Sequence, residues 1–109
     1  MINEEYFETL RSALVATATA VVEGKVGIVL GCRRLYSLKH SMQLDDFDED
    51  FQIFLAVDSQ TDHLPVDEER RNWGLDALRR KDIEIAEAEG FFRSEVVAAC
   101  QKLLVRFDK

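Results

Sequence analysis

Two carboxylates and an imidazole stand close together in Asp58-Ser59-Gln60-Thr61-Asp62-His63. Side chains of this kind, gathered in one loop, can hold a divalent cation or supply an acid and a base. A loop at the end of a rigid element is a reasonable place for such work. Asp, Ser and Thr are also ordinary turn residues, however, and the spacing matches no specific metal motif. A hydrogen-bonded turn is therefore the plainer reading. A site for one divalent metal at Asp58, Asp62 and His63 is the alternative.

The run Asp45-Asp46-Phe47-Asp48-Glu49-Asp50 is the most distinctive feature of the chain. It lacks the central Gly and the alternating ligands of a calcium-binding EF-hand, so that chemistry is not expected. Its charge suits either a docking surface for a basic partner or a mimic of a phosphate backbone. The competing reading is a solvated connector that caps a helix end. Trp73, next to Arg70 and Arg71, adds a second candidate contact, because Trp and Arg recur as interface anchors. The candidate partner-binding set is thus Asp45, Asp46, Asp48, Glu49, Asp50 and Trp73. Trp73 can equally plug one end of a helix pair.

Cys32, Cys100, His40 and His63 raise the question of thiol catalysis. No nucleophile signature surrounds either cysteine, and the two form no C-x-x-C pair. Both read as small buried core residues carrying reduced thiols. No phosphate-binding, dinucleotide, metalloprotease or serine-hydrolase motif occurs, so the chain is not expected to be an enzyme. Arg33-Arg34 with Lys39, and Arg70-Arg71 with Arg79-Arg80-Lys81, form local basic clusters. They are expected to offset the acidic middle of the chain, within one molecule or across a dimer.

The formal net charge is −7 over 109 residues. Polyanions are bound by charge neutralisation and counterion release, so nucleic acid and anionic membranes are disfavoured partners. A basic protein is electrostatically easier. The uncharged stretch from Ser12 to Val22 is far shorter than the ~20 apolar residues of a membrane span. Glu4, Glu5 and Glu8 stand where a secretory signal would be positive. Together with two lone thiols, this makes the cytoplasm the expected address. Hydrophobic residues at 47% allow one modest core in a single domain spanning 1–109.

Charge divides the chain that must position these residues. Residues 1–40 carry five basic and four acidic groups, 41–69 carry ten acidic groups and no Lys or Arg, and 70–109 carry nine basic and seven acidic groups. The first segment reads as helix. Asn3 can cap it, and Glu4 and Glu5 suit the positive end of its dipole. Phe7, Leu14, Val21, Ile28 and Leu35 then recur every seven residues. That phase runs on through Gly24, Gly27 and Gly31 and predicts one continuous helix. The alternative ends it near Glu23, with Gly24 as a C-cap and a second helix beyond.

The third segment carries the clearest helical pattern. Leu78, Ile85, Ala88, Phe92, Val96, Ala99, Leu103 and Phe107 share one face. A short helix ended by Gly74 is predicted over 67–73. Between the helices, the aromatic and β-branched run at 51–57 predicts a strand or extended arm. Helices of 33 to 36 residues would be about 50 Å long. A compact monomer of this size is only about 35 Å across, from a radius of gyration near 13 Å. Either the first helix breaks at its glycines or two chains pair in an elongated bundle, and the homodimer is preferred. The expected architecture is mostly α: two long helical regions forming a hairpin or bundle, with the acidic loop and strand of 41–69 between them. The expected function is a small acidic interaction domain, such as an adaptor or an immunity- or antitoxin-type inhibitor of a basic protein. The alternative is a metal-binding or metal-dependent hydrolytic domain.

Overall fold

Asn3 starts the first helix as its side chain implies, its Oδ1 accepting from the Tyr6 amide at 2.7 Å. In the computed structural model, which describes residues 2–108, helix α1 runs Glu4–Val22, α2 Ile28–Ser41, α3 Gln52–Thr61 and α4 Leu75–Phe107. Two 3-10 segments, Glu49–Phe51 and Asp67–Asn72, precede α3 and α4.

The first helical region is two helices, which corrects the preference for continuity. Gly24 takes φ +75°, a left-handed conformation that costs a residue with a Cβ, and α1 stops there. The apolar phase survives the break because both helices turn the same row into one core. Leu14 and Val21 on α1 and Ile28 and Leu35 on α2 are all buried. Gly31 lets the hairpin close, since a Cβ there would overlap the Val21 side chain. Gly27 has no side chain to cap α2. Glu89 of α4 does so instead, its Oε2 accepting from the Val29 amide at 3.2 Å.

Residues 51–57 form no strand, and among the described residues there is none. Phe51, Phe54, Val57 and Thr61 are buried, spaced three, three and four apart, as one face of a helix requires. Burial of that face outweighs the β preference of its residue types. The predicted 67–73 helix is a 3-10 helix. Gly74, at φ −70°, does not end it with a left-handed turn but stands as the N-cap of α4.

Side-chain contacts fix the direction of each helix. Arg11 near the start of α1 donates to the Phe107 carbonyl at the end of α4, while Glu89 reaches the start of α2. Arg106 meets the residues leading into α3, and Glu84 meets His63 just after it. The four helices therefore alternate, α1 and α3 running against α4 and α2 running with it. Helix α1 packs on α2 and α4, and α3 on α2 and α4, around a core that includes Leu14, Val21, Leu35, Phe54, Val96 and Leu103. Only the C-terminal part of α4 joins this core. Its buried residues begin at Phe92, Ala88 packs against them half-buried, and the turns before Ala88 extend beyond the core. One long helix against three short ones gives a body of 46 × 27 × 24 Å with a radius of gyration of 14.4 Å. Among the described residues no helix is long and apolar enough to cross a membrane.

Candidate functional site

The acidic loop is held from beneath by α4. Asp45 begins a tight turn in which its Oδ1 accepts from the Phe47 amide at 2.8 Å, while its carbonyl accepts from the Asp48 amide at 3.1 Å. Asp48 then caps the 3-10 turn, its Oδ1 accepting from the Asp50 amide at 3.1 Å. Arg106 completes the base, with Nη2 2.9 Å from Asp48 Oδ2 and Nη1 2.9 Å from Asp50 Oδ2. The hydrogen bond from Arg106 holds the Asp48 carboxyl below the ordinary carboxylate range. Phe51 anchors the far side in the core, edge-on to Phe54 and Phe107.

These contacts divide the acidic run by role. Asp48 and Asp50 face inward and are both held by Arg106, whose single positive charge offsets one of the two carboxylates. Asp46 is exposed, with its Oδ1 3.6 Å from Lys39 Nζ. Lys39 itself is buried, and among the described residues its Nζ makes no hydrogen bond. Asp45, Asp46 and Glu49 lie on the outside. At the crest of the turn stands Phe47, with 85% of its surface exposed.

Arg106 and Phe47 escaped the sequence reading for different reasons. Arg106 is 56 residues from Asp50 in the chain, and no local pattern reports such a contact. Phe47 did carry a signal, as the one apolar residue in a run of acids. The first basic cluster acts as expected on the middle segment, whereas the second pairs mostly within α4 and the turn before it, Arg70 with Asp82, Arg79 with Asp76 and Lys81 with Glu84. Arg33 reaches Asp58 and Glu69 and donates to the Thr61 and Leu64 carbonyls, and Arg34 reaches Asp67.

Trp73 is not part of the loop site. It lies near the other end of α4, where Lys81 Nζ stands 6.0 Å from its ring centroid. The 25 residues from Lys81 to Arg106 correspond to roughly 37 Å of helix. The six candidate contact residues thus fall on two separate surfaces.

The Asp58 side chain is likewise drawn away from Asp62 and His63. Asp58 faces Arg33, its Oδ1 3.4 Å from Nε. His63 turns to α4, its Nε2 3.2 Å from Glu84 Oε2, while Asp62 is 3.9 Å from its Nδ1. Lys81 binds the other oxygen of Glu84 at 3.2 Å and, ahead of His63, lowers the pKa of that carboxyl. Among the described residues, no three His, Cys, Asp or Glu side chains are grouped to hold a metal ion. A cleft of about 370 Å³ does open here, lined by His63, Leu64, Glu84, Glu87, Ala88 and Phe91.

Cys32 and Cys100 are free and buried, as the sequence implies. Burial raises the pKa of both thiols, that of Cys100 to about 12, so neither is a ready nucleophile.

The chain belongs to the family described as "Protein of unknown function (DUF2489)", which it matches over residues 3–103. No curated protein and no solved structure matches it.

Proposed function

We propose that this DUF2489 chain is a small cytoplasmic protein-interaction domain that engages a basic protein partner through the 45–50 loop. It would serve as an adaptor, or as an immunity- or antitoxin-type inhibitor that covers a basic surface. The observation that carries this reading is the exposure of Phe47 on a loop braced from below. An aromatic side chain left in water has favourable burial to gain from a partner, on the order of 1.5–3 kcal/mol for its transfer. Aromatic anchors of this kind commonly dominate interface energetics. The outward carboxylates of Asp45, Asp46 and Glu49 ring that anchor and would steer a positively charged partner onto it. Because Arg106 and Phe51 already order the loop, little conformational entropy remains to be lost on binding.

We also propose that the domain works as a homodimer. The support for this is the stretch of α4 before Phe92, which leaves the large apolar side chains of Leu75, Ile83 and Phe91 in solvent.

Affinity capture with the immobilised chain tests the loop reading. The control is a variant carrying Phe47→Ala, Asp45→Lys, Asp46→Lys and Glu49→Lys, with Asp48 and Asp50 kept so that the base stays intact. Basic proteins are expected on the wild-type chain, lost from the variant and lost at high salt. Equal capture by both chains would remove the loop from the account.

A further inference from the structure

We infer that the basic partner docks through an amphipathic helix, laid in a trough between the start of α3 and the C-terminal half of α4, beside the 45–50 loop. This rests on the loop reading proposed above and names the partner's binding element.

Two clefts follow the seam where α4 passes the start of α3. One, of about 350 Å³, is lined by Glu49, Ile53, Glu95, Ala98, Ala99 and Lys102. The other, of about 500 Å³, continues from it past Ala98 and Lys102 to Val105. Asp50 lines both, so the trough runs directly into the braced loop. Glu95, Ala98, Lys102 and Val105 stand three, four and three residues apart, and at 3.6 residues per turn they share a sector of about 80°. The core row of Val96, Cys100, Leu103 and Phe107 is centred roughly 150° away around the helix.

The floor of the trough is apolar and low. Ala98 and Ala99 carry only methyl groups, between the half-buried Ile53 and Val105, which is 87% exposed. Among the described residues, Val105 and Phe47 are the most exposed large apolar side chains. They flank one ion pair, since Val105 precedes Arg106 and Phe47 precedes Asp48. The anchor of the loop and the apolar end of the trough therefore lie at the same end of the molecule.

Charge selects the occupant. Glu49 and Glu95 stand on the rim, and neither makes an ion pair among the described residues. With Asp50, which shares its guanidinium with Asp48, they outnumber the one cation lining the trough, Lys102. The long side chain of Lys102 can swing clear of the floor or pair with an acid of the partner. A carboxylate rim over an apolar floor is matched by a segment with an apolar stripe and basic flanks. No strand occurs among the described residues, so there is no sheet edge for an extended segment to join. The walls are two packed helices, which suit a helix laid between them. From Glu95 to Val105 the trough is about 15 Å long, room for roughly three turns of a partner helix.

Titration of the isotopically labelled chain with synthetic peptides of about 14 residues, some four helical turns, tests this. One peptide sets leucine at helical spacing with lysine between, a second scrambles that order, and a third replaces every lysine by glutamate. The first is expected to shift the amides of 49–53 and 95–105 together and to show helical amide–amide contacts when bound. The other two are expected to bind at least about tenfold more weakly. Ala98→Arg, at an exposed position outside the core, is expected to weaken the first peptide about tenfold with an unchanged melting curve. Shifts confined to 44–50 and indifferent to Ala98→Arg would overturn the trough and leave the loop reading standing. Equal binding of the scrambled peptide would overturn the helix, and no binding of the first peptide would overturn the inference as a whole. Shifts of the trough amides on concentrating the chain alone would overturn it in favour of a second copy. The loop reading fails separately, by capture that does not depend on Phe47 and its neighbouring acids.

Discussion

The Arg106 guanidinium meets the Asp48 carboxylate end-on through both Nη atoms, with Nη2–Oδ2 at 2.9 Å and Nη1–Oδ1 at 3.0 Å. A planar donor pair meeting a carboxylate in this way is stronger and more directional than a single contact. Here it joins the last turn of α4 to a loop 58 residues earlier. The charged residue that draws attention in the sequence thus works first as the support for the apolar one beside it.

This pairing makes stability depend on acid in a defined direction. Arg106 lowers the folded pKa of Asp48 below the unfolded value of about 3.9. The contribution is therefore complete above about pH 4 and is lost as pH falls through the folded value. Arg106→Gln is expected to cost about 1 kcal/mol at neutral pH, near the upper end for a partly exposed pair. In thermal melts from pH 7 to pH 2.5, the gap between wild type and variant should narrow on the acid side. A gap that stays constant would show that the Asp48 charge plays no part.

Helix α3 can be tested by which side chains matter. Phe54→Ala is expected to destabilise by about 3–5 kcal/mol and Val57→Ala by about 1–3 kcal/mol, because both fill the core. A strand would set these two residues on opposite faces and make only one of them costly. Denaturant midpoints of the two variants decide the matter.

The two glycines of the α1–α2 hairpin should both resist replacement, for different reasons. Gly31→Ala overpacks Val21, at a cost of about 1–3 kcal/mol. Gly24→Ala has open space but a left-handed φ, and is expected to cost about 1 kcal/mol. Chemical denaturation of each variant should rank Gly31→Ala as the more damaging. The reverse order would mean that the hairpin opens easily and the turn controls its stability.

Cys32 and Cys100 should be silent in the folded chain. Both are buried, and burial pushes the Cys100 thiol up to about 12. At pH 8 a thiol reagent is expected to label neither residue until denaturant is added, when both should react. Rapid labelling of the native chain would place at least one thiol at the surface.

Much of the helical content was legible because it is written in local spacing. The row from Leu78 to Phe107 names α4, and Asn3 with Glu4 and Glu5 marks the start of α1. The break at Gly24 was ambiguous, since a seven-residue repeat continues unchanged when a chain reverses between two helices that share a core. For α3, Ile53, Phe54 and Val57 suggested a strand by residue type, while the spacing of Phe51, Phe54 and Val57 held the helical signal. The loop was visible as a cluster of acids. Its division into an inward pair and an outward rim was not, because that depends on Arg106 from the far end of the chain. Trp73 was grouped with the loop on chemistry alone, and the length of α4 separates them.

The most direct test of the account is a nuclear magnetic resonance titration of the isotopically labelled chain with a basic protein recovered by capture. The account predicts amide shifts concentrated over residues 44–50, abolished by Phe47→Ala, with Trp73 and the His63 cleft unchanged. Shifts confined to that cleft, with the 44–50 amides unmoved, would contradict it.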